Sequence, residues 1–279
     1  MDPMLNTAIK AAHAAGDIIA RSADRIEQLQ VENKNKHDFV TEIDRSAEQE
    51  IIGILRKAYP DHSFLGEESG EHKPNDAALE KAKKLNPNTE AVKYEWIIDP
   101  LDGTTNFLSG IPHYAVSIAL KKDGKLDQAV IYDPMKDDLF HATRGGGAFL
   151  NNRRIRVTKR LSLEDAVVAT GIPFRSNQNE IMEEYQNTLK VIALGTAGIR
   201  RFGSASLDLA YVAAGRYDGY WEYSLEQWDI AAGALIVQEA GGIVGDLKGG
   251  TSHLQTGDIV AANPKVFKEM IKRLHGVLK

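Results

Sequence analysis

A chain of 279 residues, 43% hydrophobic and 26% charged, can bury a large core in one or two domains, and it carries no low-complexity tract. Its formal net charge of −5 argues against a protein whose main task is coating nucleic acid or acidic membrane. With no cysteine, disulfides, thiol catalysis and thiolate metal sites are excluded, so any metal must be held by Asp, Glu, His or carbonyl oxygens.

Ala8, Ala11, Ala12, Ala15, Ile18 and Ile19 recur at helical spacing and predict an opening amphipathic helix over 5–21. Asp2, Lys10 and Asp17 interrupt the apolar run a signal peptide needs, and no stretch reaches the roughly 20 apolar residues of a membrane helix. A soluble, cytoplasmic protein is expected. Ala47, Ile51, Ile54, Leu55 and Ala58 predict a second helix over 44–59, stopped by Pro60. Residues 70–93 are polar and read as a surface insertion with a short helix at 76–85. Strands follow at 94–98, 115–120, 128–132 and 139–142, with a hairpin turning at Asp123-Gly124. Beyond about 155 the order alternates: strand 166–170, helix 180–194, strand 199–202, helix 205–214, strand 217–222 and helix 229–240. The first half reads as helices with an antiparallel sheet and the second as α/β. The expected domains are an α+β lobe over 1–155 and an α/β lobe over 156–279, meeting at a cleft.

The stretch "WIIDPLDGTTNF" at 96–107 delivers two aspartates, Asp99 and Asp102, from an apolar strand into Gly-Thr-Thr. Pro100 keeps Asp99 extended, so both carboxylates and the Leu101 carbonyl can aim at one point. Oxygen ligands of this kind suit Mg²⁺. Gly103, Thr104 and Thr105 offer backbone N–H groups for a phosphate if a helix begins there. An Asx-turn built around a structural proline is the competing explanation.

This stretch resembles the first signature of the inositol monophosphatase family, and "WDIAAGALIVQEAGG" at 228–242 resembles the second. "DFVTEIDRSAE", "GEES", "YDPMKDDLFHATRGGGAFLN" and "GSASLDLAYVAAGRYDGYWE" complete the family order over nearly the full length, most like the bacterial SuhB-type branch. The resemblance implies the layered αβαβα sandwich that the sugar phosphatases share with fructose bisphosphatase. It implies two to three Mg²⁺ ions: one on Glu67, Asp99 and the Leu101 carbonyl, one on Asp99, Asp102 and Asp229, and a weaker third on Glu67 and waters. Asp44 would hydrogen-bond Thr104 so that the pair orients the attacking water, with Glu67 as the other catalytic group. Asp44 could equally cap a helix, and Asp229 could serve a helix dipole. The substrate would be held by Glu67, Leu101, Asp102, Gly103 and Thr104 at the phosphate, and by Gly203, Ser204, Ala205, Glu222 and Asp229 toward the ring. Lys34 or Lys36 would lie near the metals.

The implied activity is Mg²⁺-dependent, lithium-sensitive hydrolysis of inositol 1-phosphate by a cytoplasmic homodimer. A phosphatase for fructose 1,6-bisphosphate, a 3′-phosphoadenosine nucleotide or histidinol phosphate is the alternative within the fold. A different class of role, as a partner in a transcription complex or on nucleic acid, would use the basic run Arg153, Arg154, Arg156, Lys159 and Arg160. The glycines of "RGGG" read as a hairpin turn, since the Gly-Lys-Ser/Thr ending of a phosphate loop is missing.

Overall fold

The computed structural model describes residues 2–23, 25, 31–35, 38–85, 92–173 and 180–278. In chain order these form α1 (Pro3–Ser22), β1 (Val31–Asn35), β2 (Asp38–Thr41), α2 (Glu42–Ala58), β3 (Ser63–Gly66), β4 (Gly70–His72), α3 (Asp76–Leu85), β5 (Tyr94–Asp102), α4 (Thr104–Leu108), β6 (Ala115–Lys122), β7 (Lys125–Asp133), β8 (Asp138–Thr143), β9 (Gly147–Leu150) and β10 (Arg153–Arg154). There follow β11 (Val167–Thr170), α5 (Met182–Ala193), β12 (Gly198–Arg200), α6 (Ala205–Ala213), β13 (Gly219–Glu222), α7 (Gln227–Glu239), β14 (Ile243–Gly245), α8 (His253–Thr256), β15 (Ile259–Ala262) and α9 (Pro264–Leu274). Besides the β1–β2 hairpin there are two larger sheets, one of eight strands ordered β10-β9-β8-β7-β6-β5-β3-β4 and one of five ordered β12-β11-β13-β15-β14.

Five layers result, and the two-residue period of the strands shows how. In β5, Trp96 and Ile98 face the cluster made with α1 and α2, while Ile97 between them faces α6 and α7. The small sheet divides in the same way. Ala169, Tyr220 and Ala261 join α6 and α7, whereas Val168, Trp221 and Val260 join α5 and α9. The middle pair is therefore covered by sheet on both sides, which explains why every residue of α6 is buried and α7 is apolar through Ile230–Val237. The outer helix α1 buries one stripe, Leu5, Ala8, Ala11, Ala12, Ala15 and Ile19. This is the αβαβα sandwich expected from the resemblance.

Three expectations are corrected. The large sheet is not wholly antiparallel, because β3 pairs in parallel with β5, Gly66 lying opposite Ile98. Strand β5 does not stop at Ile98: it runs through Asp102 with its register shifting between Asp99 and Asp102, so the paired carboxylates belong to the strand itself. Helix α7 begins at Gln227, two residues earlier than expected, which puts Asp229 inside its first turn. The hairpin β1–β2 and strand β3 were not anticipated. Lys34 lies on β1 with its side chain outside the described set, and Lys36 lies outside the described residues.

Candidate active site

The site gathers where strands of both sheets reach their carboxyl ends. Parallel pairing carries β3 and β5 the same way, and past Gly66 the amide of Glu67 donates to the Ile98 carbonyl at 3.1 Å, seating Glu67 beside Asp99. The turn is held from beneath by Glu48, a buried acid on α2 whose Oε2 accepts from the Glu68 amide at 2.9 Å. Glycine at position 66 leaves room for that carboxylate, since a Cβ there would lie 2.4 Å from the Oε2 and Glu48 would have to shift. Glu48 is four residues beyond Asp44, and an acid pair at this spacing on the apolar stripe of a helix was the available sequence signal.

Asp99 is buried, and its Oδ1 accepts from the Leu101 amide at 2.9 Å. Its neighbour across the sheet is Ser117, whose hydroxyl donates to the Trp228 carbonyl at 3.2 Å. That bond pins the start of α7 over β6 and brings Asp229 alongside. Asp229 closes a capping box with Glu226, accepting its amide at 2.8 Å. From the small sheet comes α6, capped by Ser204. Asp102 Oδ2 accepts from Ser204 Oγ at 2.6 Å, from the Ser206 amide at 2.7 Å and from the Ser206 hydroxyl. Carboxylate oxygens of Asp99, Asp102 and Asp229 all lie within 4.8 Å of one another.

Burial, then the charges of Glu67, Asp102 and Asp229, push the Asp99 carboxyl well above the ordinary carboxylate range. Burial also raises Asp102, against the pull of its hydrogen bonds from Ser204 and Ser206. Such crowding of oxygen ligands fits a hard divalent cation, which would relieve the repulsion.

Asp44 sits at the third position of α2 and caps it together with Thr41. Its other oxygen accepts from Thr104 Oγ1 at 3.1 Å, and Thr104 Oγ1 lies equally near the Leu101 carbonyl. The Thr104 pairing is therefore present, whereas the N-cap itself is Thr41, because α2 starts at Glu42 and not at 44, and Asp44 caps from the third position. Burial raises its carboxyl above the usual value. Gly103 adopts φ +100°, and a Cβ there would press on the carbonyls of His113 and Gly203.

One cleft is lined by Glu67, Asp99, Leu101, Asp102, Gly103, Thr104, Gly203, Ser204, Ala205, Glu222 and Asp229. All the residues singled out for metal and substrate come together there, and Asp44 touches it through Thr104. Glu222 ends β13, hydrogen-bonded by Tyr220 and packed so closely on Gly171 that a Cβ at 171 would fall 1.7 Å from its Oε1. Thr105, expected to offer its amide, lines the cleft too, as do Arg201, Asn106, Gly171 and Leu225, which were not singled out from the sequence.

The basic run lies elsewhere. Arg153 and Arg154 form β10 at the far edge of the large sheet, five strands from β5 or roughly 24 Å at ordinary strand spacing. Arg160 pairs with Asp218 at 2.9 Å. Among the described residues no helix is long and apolar enough to cross a membrane.

A model of the inositol monophosphatase family matches residues 1–277. The Nus factor SuhB of Pseudomonas aeruginosa is 52% identical over 271 residues, covering 97% of this chain and 95% of that protein. Among solved structures, the extragenic suppressor protein SuhB of Bartonella henselae superposes with a TM-score of 0.90 at 43% identity, covering 99% of this chain and 100% of that one. Inositol monophosphatase from Anabaena superposes with a TM-score of 0.78 at 33% identity over 98% of this chain and 96% of that one.

Proposed function

This chain belongs to the inositol monophosphatase family, and from that premise we propose that it hydrolyses inositol 1-phosphate to inositol and phosphate with the help of Mg²⁺. One observation carries the reading: three carboxylates within 4.8 Å of one another share a cleft with the Gly103-Thr104 turn on one side and Glu222 on the other. Glu67, Asp99 and the Leu101 carbonyl would hold one ion, Asp99, Asp102 and Asp229 a second, and Glu67 a third with waters. Cations bound there supply Lewis-acid charge, making water nucleophilic at neutral pH and drawing charge from the departing oxygen.

The chain's own groups do the rest. Thr104 Oγ1, its proton engaged by Asp44 or by the Leu101 carbonyl, turns lone pairs toward the attacking water and orients it. Amides of Gly103 and Thr104 open α4 without partners inside that helix and hold phosphate oxygens as charge spreads over them. Gly203, Ser204 and Ala205 bound the ring, and Glu222 accepts from its hydroxyls. Glu222 is kept in place by Tyr220 and by the space that Gly171 leaves. In this reading the lobe over 1–155 carries most cation ligands, the lobe over 156–279 carries the ring contacts, and the enzyme is a cytoplasmic homodimer inhibited by Li⁺.

Phosphate release from inositol 1-phosphate, fructose 1,6-bisphosphate, a 3′-phosphoadenosine nucleotide and histidinol phosphate, each with Mg²⁺ and with chelator, tests this. Inositol 1-phosphate is expected to lead the panel and to require Mg²⁺. Turnover unaffected by chelator, or preference for another ester, would overturn the assignment.

A second reading has its own support in the relative named Nus factor SuhB, at 52% identity: a partner in a transcription complex, using the basic strand β10. Because β10 is remote from the cleft, the two roles separate experimentally. Asp99→Asn should end turnover and leave such a partnership intact, while charge reversal at Arg153 and Arg154 should do the opposite.

A further inference from the structure

Asn106 lines the cleft four residues after Asp102, yet it is none of the groups assigned above to cation, phosphate or ring. It is buried, and its amide nitrogen lies 2.8 Å from the His113 carbonyl, 2.6 Å from that of Phe202 and 3.4 Å from that of Gly203. The first carbonyl leads into β6 of the large sheet. The other two belong to the turn that enters α6 from the small sheet. An amide nitrogen has two hydrogens, so one side chain satisfies a carbonyl on each side of the cleft.

Arg201 and Phe202 are exposed, Phe202 by 44%, so burial does little to fix their positions. The Phe202 ring stands 5.1 Å from the His113 ring, against the same segment that Asn106 grips. At the other end of the turn Ser204 and Ser206 are tied to Asp102. Of these two polar ties on the turn, the one made by Asn106 leaves the cation ligands untouched.

We propose that Asn106 is a positioning residue, donating from the phosphate side of the cleft to the Phe202 turn and so setting how far the ring contacts at 203–205 stand from the phosphate seat. Through that spacing it sets the preference for ring-bearing esters over small ones. The proposal rests on the phosphatase reading, but its structural half can be measured without turnover.

The test compares wild type, Asn106→Ala and Asn106→Asp. Aspartate keeps the shape and replaces the donating NH₂ by an oxygen facing carbonyl oxygens, while alanine removes the donor without adding charge. In both variants kcat/KM for inositol 1-phosphate relative to ethyl phosphate should fall about tenfold or more, chiefly through KM. Mg²⁺ affinity of the Asn106→Ala protein by calorimetry should change little. Amide exchange at 202–206 should quicken, with β6 as well protected as in wild type. An Asn106→Asp protein with wild-type selectivity and wild-type exchange would overturn the proposal. If wild type hydrolyses neither ester, the activity reading fails, and the exchange measurement alone decides whether Asn106 holds the turn.

Discussion

Asp99 is buried with Glu67, Asp102 and Asp229 around it, an arrangement that costs folding free energy unless a cation or protons offset the charge. Asp99→Asn would remove the ligand shared by the two main ions of the proposal while keeping the shape, so kcat/KM should fall by at least about 10³-fold, read by phosphate release. Gly171→Ala acts at the other end of the cleft. Its Cβ would occupy the place of Glu222 Oε1, so the carboxylate must swing away. KM for inositol 1-phosphate should rise about tenfold or more in steady-state kinetics, while Mg²⁺ affinity holds. At this scale Asp99 and Asp102 were legible as a candidate pair, because they flank a proline at the end of an apolar run, whereas Glu67 and Asp229 were singled out only through the family resemblance. Ser206 and Asn106 were not legible, and Glu48 was signalled only as an acid four residues past Asp44. Each acts on a partner at least 20 residues away, and only the strand register and the helix starts bring those partners near.

Among elements, the parallel pair β3–β5 matters most. It delivers Glu67 and Asp99 to the same end of the sheet, and an antiparallel β3 would have left Glu67 at the opposite edge. Glu48 fixes the turn that follows. Glu48→Ala removes the acceptor for the Glu68 amide and leaves space in the core, a loss expected to destabilise the fold by about 1–3 kcal/mol in denaturant titrations. It should also weaken Mg²⁺ binding through misplacement of Glu67, measured by calorimetry. Long periodic elements such as α1, α2, β6 and β7 could be read from the pattern of apolar residues. Strand β3 could not, since four residues offer little alternation to detect, and neither could the polar hairpin β1–β2.

For the molecule as a whole, two sheets pressed on a shared pair of helices bring carboxylates from both halves of the chain to one cleft. Burial raises Asp44, Asp99 and Asp102 above their unfolded values. The unfolded chain then ionises first, so stability of the metal-free protein should decline as pH climbs from about 4, where free carboxylates titrate, through the raised folded values. Thermal melts between pH 4 and 8 would read this. Added Mg²⁺ should restore stability most at the upper end, by about 2.7 kcal/mol at a hundred times its Kd, and least where protons compete. The αβαβα layering itself was legible only through the family resemblance, because periodicity gives elements and not their stacking.

Anomalous diffraction from crystals grown with Mn²⁺ and phosphate tests the central claim most directly. The account expects peaks bonded to Asp99, Asp102 and Asp229 and to Glu67 with the Leu101 carbonyl, and phosphate against the Gly103 and Thr104 amides. Manganese bound only elsewhere on the protein, with these four carboxylates bare under saturating metal, would contradict it.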